Sequence, residues 1–224
     1  PIGKKSIASP GSSESKRRTS PGMSFLRGFS IAMGANITVF VLSFLNNKLI
    51  YLFLDDADNG RYFLIMRMSL LCALFFGDWM RLSSMNIAGR NKDLIPSLSA
   101  NAFWYAVTLA LLFPVAFTVL PSVRGATFLG LPAGLLPVAL AAGVLLTARN
   151  NWQSLLLVEH RMVHYGLSFV IWGGVFLGLD IIFLAVMDGG LHLVLTALVA
   201  ACGISAVWSF ASNARAGRHS FTPS

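Results

Sequence analysis

The chain alternates between long apolar runs and short polar stretches, and this pattern predicts a bundle of membrane-spanning helices. A helix that crosses about 30 Å of hydrocarbon needs roughly 20 mostly apolar residues. Six runs approach or exceed that length, at about 30–54, 62–80, 99–120, 128–148, 165–187 and 191–210. The runs are continuous and lack the period-two alternation of a membrane β-barrel. The sequence therefore predicts an all-α, polytopic membrane helix bundle with six transmembrane helices.

The composition excludes the soluble alternatives. Hydrophobic residues make up 55% of the 224 residues and charged residues only 12%, which is about half the charged fraction of a soluble domain. A soluble chain of this size would need far more polar surface. The two cysteines, Cys72 and Cys202, lie inside apolar runs and indicate no disulfide framework.

Changes in composition divide the chain into three segments. Residues 1–22 are rich in Ser, Pro, Gly, Lys and Arg, which predicts a disordered basic extension. Residues 23–211 form the predicted six-helix transmembrane lobe, and residues 212–224 form a polar cytoplasmic tail. Met23 is a natural starting residue, so it stays open whether residues 1–22 belong to the native protein.

The distribution of basic residues predicts the orientation in the membrane. Cytoplasmic loops carry an excess of Lys and Arg. Of the 17 Lys and Arg residues, two (Arg61 and Arg124) fall on one side and two (Lys48 and Arg67) inside spans, and the others share a side with both termini. We therefore expect both termini in the cytoplasm. The net charge of +8 follows from this topology, and no nucleic-acid partner is expected.

Three ionisable residues on different predicted spans share one depth. Lys48, Arg67 and Asp180 each lie about 7–10 Å below the same outer surface, at 1.5 Å per residue. Such residues cost at least ~2.5 kcal/mol at mid-depth, so each needs an explanation. One hypothesis is a water-filled substrate pathway for an anionic ligand, in which Asp180 holds one of the cations when the site is empty. The alternative is snorkelling basic side chains with a helix–helix salt bridge to Asp180.

Asn47 and Asp78 complete the candidate substrate-pathway residues. The Asn46-Asn47-Lys48 stretch either lines the same cavity or hydrogen-bonds across helices. Asp78 precedes Arg81 by three residues near the inner end, so an interfacial ion pair is the preferred interpretation and a transport role the alternative. The sequence contains no phosphate-binding loop, nucleophile arrangement or metal-ligand set. We therefore expect no enzyme activity, no catalytic residue, no metal and no cofactor.

Three stretches carry a resemblance to a known family. They are the entry to the second span at NGRY (residues 59–62), its close at Gly77-Asp78 ahead of a basic stretch, and LLTARNNWQSLLLVEHRMVHYG between the fourth and fifth spans. From Met23 to about Phe210, the chain resembles the N-terminal half of bacterial polysaccharide flippases. These are the O-antigen and exopolysaccharide translocases of the multidrug/oligosaccharidyl-lipid/polysaccharide exporter superfamily.

The resemblance implies a transporter that flips polyprenyl-pyrophosphate-linked oligosaccharide across the bacterial inner membrane for lipopolysaccharide or exopolysaccharide biosynthesis. Lys48 and Arg67 would then serve a pyrophosphate head group. Family members have two lobes, so this chain would be a fragment with one lobe, completed by a second lobe or by a homodimer. The implied partners are the lipid-linked oligosaccharide and membrane lipids.

Three other functions stay open. A drug/cation antiporter of the same superfamily needs buried carboxylates, and only Asp78 and Asp180 are available. A membrane-embedded lipid-linked sugar transferase needs carboxylates or histidines gathered at one face. A non-catalytic membrane subunit would use its charges only to pair helices.

Overall fold

Six long helices make up almost all of the described structure. A computed structural model of the chain describes residues 21–119, 127–128 and 131–214. Its helices are α1 (Pro21–Phe53), α2 (Asp56–Arg90), α3 (Ile95–Val119), α4 (Leu136–Val158), α5 (Met162–Asp180) and α6 (Leu191–Ala214). The predicted all-α bundle is confirmed. Most of the predicted extension 1–22 and tail 212–224 lies outside the described residues.

Short elements join these helices. A 3₁₀ turn at Lys92–Leu94 precedes α3, and another at Ala133–Leu135 precedes α4. Two strands of two residues each, β1 (Thr127–Phe128) and β2 (Leu131–Pro132), pair antiparallel between α3 and α4. After Asp180 the helix α5 continues as a π-helix over Ile181–Val186.

The connection between α1 and α2 is fixed by acidic residues. Asp55 caps α2 by accepting a hydrogen bond of 2.7 Å from the Asp58 backbone N–H. Asp56 and Asp58 occupy the first turn, where negative charge interacts favourably with the helix dipole. The acidic residues between the first two predicted spans are therefore the cap and the first turn of α2.

The fourth predicted span, 128–148, is wrong at both ends. Helix α4 begins at Leu136 with a proline in its first turn, and it continues to Val158. Five helical segments of the described chain are long and apolar enough to cross a membrane, and α4 is not among them. It contains the polar run Arg149–Gln153, which the fourth predicted span, ending at about residue 148, left out. Burial against neighbouring helices lets this polar run lie within a helix.

Two pairs of helices, α2 with α4 and α1 with α5, pack side by side and run parallel. On α2 and α4, Ser69 donates to the Ala139 carbonyl over 3.0 Å, and a Cβ at Gly143 would lie 2.6 Å from that of Cys72. On α1 and α5, a Cβ at Gly166 would lie 3.0 Å from that of Ala35. Small residues at such positions let membrane helices approach closely.

The core of the lobe lies around α4 and α6. Residues of α2, α4, α5 and α6 form one large buried cluster, and a smaller cluster joins α3 to α4 and α6. Helix α1 differs, because it packs mainly on α5 and exposes most of its length. Helices α1 and α2 also make few contacts with each other. The lobe therefore has a tightly packed body and one peripheral helix.

Candidate functional site

The lobe has two ends that differ in which helices they join. At the α1–α2 end, α1 joins α2 and α5 joins α6. At the α2–α3 end, α2 joins α3 and α4 joins α5. The distribution of basic residues predicts that the first end faces outward and the second faces the cytoplasm. Among the residues that the structure describes, each end contains one buried side chain of a charged residue type.

Asp180 is the buried charge nearer the α1–α2 end. It is 0% exposed at the junction where α5 changes into its π-helical segment. Within the described residues, neither of its carboxylate oxygens has a hydrogen-bond partner. Single π-helical turns concentrate at functional sites, because they reorient the side chains next to them. The position therefore combines an unpaired charge with a local change in helix geometry.

Asn46 and Tyr62 are the polar neighbours of Asp180. The buried Asn46 side chain on α1 is close enough to interact with the carboxylate, although neither amide atom meets hydrogen-bond geometry. Tyr62 on α2 is close enough for an electrostatic interaction, and its ring centroid lies 6.5 Å from that of Phe176 on α5. Three helices thus bring a carboxylate, an amide and a phenol together. This oxygen-rich set could accept a proton or a cation.

The predicted charge cluster of Lys48, Arg67 and Asp180 is divided between the surface and the core. Lys48 and Arg67 are exposed on α1 and α2, whereas Asp180 is buried. The ion pairs found in the described residues are Arg61–Asp58, Arg81–Asp78 and Arg161–Glu159. The expected salt bridge from Asp180 to a basic side chain is therefore not formed in this structure.

The two asparagines of the Asn46-Asn47-Lys48 stretch lie on different faces of α1. Asn47 is exposed, and its neighbour Asn46 turns into the core beside Asp180. Successive helical residues point about 100° apart, so Asn46 and Asn47 cannot both line the same surface. The residue that meets Asp180 is thus Asn46, which the sequence pattern included in the patch without singling it out.

Asp78 forms the interfacial pair that its spacing predicts. Its carboxylate lies 3.2 Å from Arg81 Nη2, and both side chains are partly exposed. Exposed pairs of this kind contribute between nothing and about 1 kcal/mol. The predicted pairing of Asp78 with Arg81 is therefore present, and a role of Asp78 in transport stays a prediction.

Arg149, counted in the sequence analysis among the basic residues on the side of both termini, is the buried charge nearer the α2–α3 end. It is 7% exposed because α4 continues past it. Its Cζ atom lies 5.4 Å from the ring centroid of Phe169 and 5.2 Å from that of Trp172, both on α5. Nη2 donates to Asn150 Oδ1 over 3.2 Å. The aromatic faces stabilise a cation that no described carboxylate neutralises.

A hydrogen-bond network lies one turn from Arg149. Gln153 Nε2 donates to Ser168 Oγ over 2.9 Å, and the hydroxyls of Ser168 and Ser209 lie 2.6 Å apart. Asn213 on α6 donates to the Trp152 carbonyl over 3.0 Å. These bonds connect α4, α5 and α6. Buried networks of this kind fix helices in one arrangement.

One sequence signal could have revealed this buried polar region. The run RNNWQS (residues 149–154) contains no Gly or Pro and stands directly between two apolar runs. Without a helix-breaking residue, continuation of the helix is the better prediction. Arg149 and Gln153 are then four residues apart and share one face of α4.

One shallow, largely open pocket lies elsewhere, on the exposed face of α1. It has a volume of about 510 Å³ and is lined by Phe29, Ala32, Met33, Asn36, Ile37 and Phe40. None of the predicted pathway residues belongs to this lining. In addition, no group of three or more metal-binding side chains occurs among the described residues.

No protein-family profile matches the sequence, and neither does a curated protein. Solved structures do match. A transporter from Pyrococcus furiosus, described as a MOP superfamily member whose binding pocket has reverse polarity, superposes with a TM-score of 0.65 at 18% identity. The match covers 92% of this chain and 47% of that chain. The fold is that of half a MOP-superfamily transporter.

Two further solved structures with this fold also match the chain. A multidrug resistance MATE family transporter in an outward-facing conformation matches with a TM-score of 0.61 and 17% identity, over 89% of this chain and 46% of that chain. A point mutant of a MATE protein matches with a TM-score of 0.62 and 20% identity, over 92% of this chain and 48% of that chain. The chain thus spans just under half the length of each of these structures.

Proposed function

We propose that the chain is one lobe of a membrane transporter and that transport requires a second lobe. The observation that carries this proposal is the superposition of 92% of the chain on 47% of a MOP-superfamily transporter. The exposed side of α1 supports it, because a peripheral helix is available to face a cavity shared with another lobe. The second lobe is either a further part of the same protein or a second copy of this chain.

The proposed substrate is a polyprenyl-pyrophosphate-linked oligosaccharide, flipped across the bacterial inner membrane with both termini in the cytoplasm. Lys48 and Arg67 support this substrate, because both are exposed cations that form no ion pair within the described residues. Two such cations suit a diphosphate group. The reverse polarity described for the Pyrococcus pocket also indicates that pocket charge varies within this fold.

A drug/cation antiporter is the second candidate, and Asp180 is the observation that favours it. An uncompensated buried carboxylate is suited to bind a proton or a metal cation during each transport cycle. One matching MATE transporter is described as a multidrug resistance protein. The two candidates therefore depend on different residues of the same lobe.

The experiment compares two variants of the complete protein in cells. The double variant Lys48→Ala/Arg67→Ala should lower glycan export by about tenfold or more, which corresponds to about 1.4 kcal/mol of transition-state stabilisation. Arg61→Ala is the matched control, since Arg61 is an exposed cation near the same end that is paired with Asp58.

Two results would contradict the flippase. Intact glycan export by the double variant would remove the proposed role of the cations. Loss of drug efflux in Asp180→Asn, with glycan export absent from the unaltered protein, would establish the antiporter instead. Each export assay needs quantification of the variant in the membrane, so that loss of protein is not read as loss of transport.

A further inference from the structure

Arg149 carries a positive charge inside the lobe without an opposite charge beside it. Burying an uncompensated charge is costly, and proteins normally offset it with a counter-ion. The groups near the guanidinium are the Asn150 amide, the rings of Phe169 and Trp172, and the side chains of Tyr165 and Cys202. None of these is a carboxylate. The aromatic faces therefore provide only part of the compensation.

The unused hydrogen-bonding atoms around Arg149 include several donors. Within the described residues, Arg149 Nε and Nη1 have no hydrogen-bond partner, and neither does Trp172 Nε1. The Cys202 sulfur is a neighbour of both side chains, although it does not complete a hydrogen bond to the indole. Unused N–H donors around one buried cation call for an acceptor with negative charge.

We propose that a small monovalent anion of about the size of chloride binds at the edge of the Arg149 guanidinium group, beside the Trp172 indole N–H. The rings of Phe169 and Trp172 lie near the guanidinium, and its N–H groups point outward in its own plane. One negative charge is sufficient to balance one guanidinium. Because Arg149 is 7% exposed, the site suits a small ion better than a lipid head group.

The site would have a structural consequence for three helices. Arg149 belongs to α4, Trp172 to α5 and Cys202 to α6, the same helices that the Gln153–Ser168–Ser209 network connects. A bound anion would therefore add a second connection next to that network. Neither the lipid-linked substrate nor the coupling ion of the proposed transporter is needed for this inference.

The test uses the full chain, purified in detergent, with bromide as the probe. Gluconate is replaced stepwise by bromide at constant ionic strength, and the unfolding temperature and tryptophan fluorescence are recorded. We expect the unfolding temperature to rise with the logarithm of bromide concentration above Kd, by on the order of 5 °C at a hundredfold excess over Kd, because a ligand that binds the folded state stabilises it. Saturable quenching should accompany it, since bromide would contact Trp172.

Substitutions test whether bromide binds at Arg149 and Trp172. Arg149→Gln should abolish both responses, and Trp172→Phe should abolish the saturable quenching while part of the thermal shift remains. Arg149→Lys keeps the charge and should retain a weakened response, which covers the case in which Arg149→Gln does not fold. Arg81→Gln is the control, because Arg81 is partly exposed and paired with Asp78. It should behave like the unaltered chain.

Two outcomes would contradict the proposed anion site. One is an unfolding temperature that does not depend on bromide, together with quenching that rises linearly without saturation. The other is saturable quenching of unchanged midpoint in folded Arg149→Gln or Arg149→Lys protein.

Discussion

The two buried charges of the lobe have opposite signs and very different surroundings. Arg149 lies near two aromatic rings and next to a network that joins α4, α5 and α6. Asp180 lies where α1, α2 and α5 meet, at the start of a π-helical segment, beside an amide that does not complete a hydrogen bond. Arg149 is thus packed against rings beside bonds that connect helices, whereas Asp180 lies at an irregular helix junction.

This difference suggests that the two ends of the lobe have different tasks. Around Arg149, hydrogen bonds connect helices to one another, which favours one arrangement of the backbone. Around Asp180, irregular helix geometry and unpaired polar atoms cost stability, and such features persist mainly where function requires them. We therefore expect substitutions near Asp180 to change activity and those near Arg149 to change stability.

The largest effect is expected from Asp180→Asn. The amide has nearly the same shape but no charge, so it cannot bind a cation as a carboxylate does. Transport by the complete protein should fall by about tenfold or more, while the unfolding temperature stays equal or rises because an unpaired buried charge is removed. Transport into vesicles and thermal unfolding of the same preparation provide the two measurements.

Asp188→Asn is the control for that prediction. Asp188 is exposed near the same end, and its φ of 50° is a conformation that Asn also tolerates. Its transport should stay near that of the unaltered protein. Full transport by Asp180→Asn would show that the buried carboxylate has no part in the cycle.

Ser168→Ala is expected to have the second largest effect, and it acts on stability. The change removes the acceptor of Gln153 Nε2 and the partner of the Ser209 hydroxyl. Leaving a buried donor unpaired costs about 1–3 kcal/mol. The free energy of unfolding, measured by denaturant titration in detergent, should fall by that amount.

Ser205→Ala is the matched control, because the buried Ser205 hydroxyl donates to the Cys202 carbonyl of its own helix. Ser205→Ala should lower the free energy of unfolding clearly less than Ser168→Ala does. If the two variants lose equal stability, the connection between α4, α5 and α6 contributes nothing beyond local packing.

Asn46→Leu is expected to have the smallest effect on stability. Both amide atoms of Asn46 are already without a hydrogen-bond partner among the described residues, so an apolar side chain of similar size sacrifices no bond. We expect a change within about 1 kcal/mol, of either sign. The free energy of unfolding should be compared with that of Asn47→Leu, whose side chain is exposed. A loss well above this range would mean that Asn46 does bind Asp180 in the folded state.

The number and class of the helices could be predicted because long continuous apolar runs, in a chain with 12% charged residues, fit few structures besides membrane-spanning helices. The bounds of α4 could not be predicted in the same way. The run Arg149–Gln153 is polar, and only contacts with α5 and α6 make its burial favourable. Hydropathy describes one segment at a time, so it misses polar groups that are satisfied by distant segments.

The sequence also could not predict which residues of the candidate site contact one another. Spacing alone identified Asp180 as an ionisable residue within a span, and the structure places it in the core. Spacing did not identify its neighbours, because depth in the membrane says nothing about which face of a helix a residue occupies. Asn46 and Lys48 differ by two positions on α1, yet one is buried and the other exposed.

The polarity of α4 also affects how the protein is made. A helix with an arginine and several amides near its middle partitions poorly into lipid, since arginine alone costs about 2.5 kcal/mol or more at the centre of a span. The rings of α5 and the serines of α5 and α6 that shelter these groups are synthesised later. We therefore expect α4 to be held at the translocon or the interface until its partners emerge, so that the last three helices insert in one cooperative step. A chain truncated after Val158 should then fail to insert α4 stably.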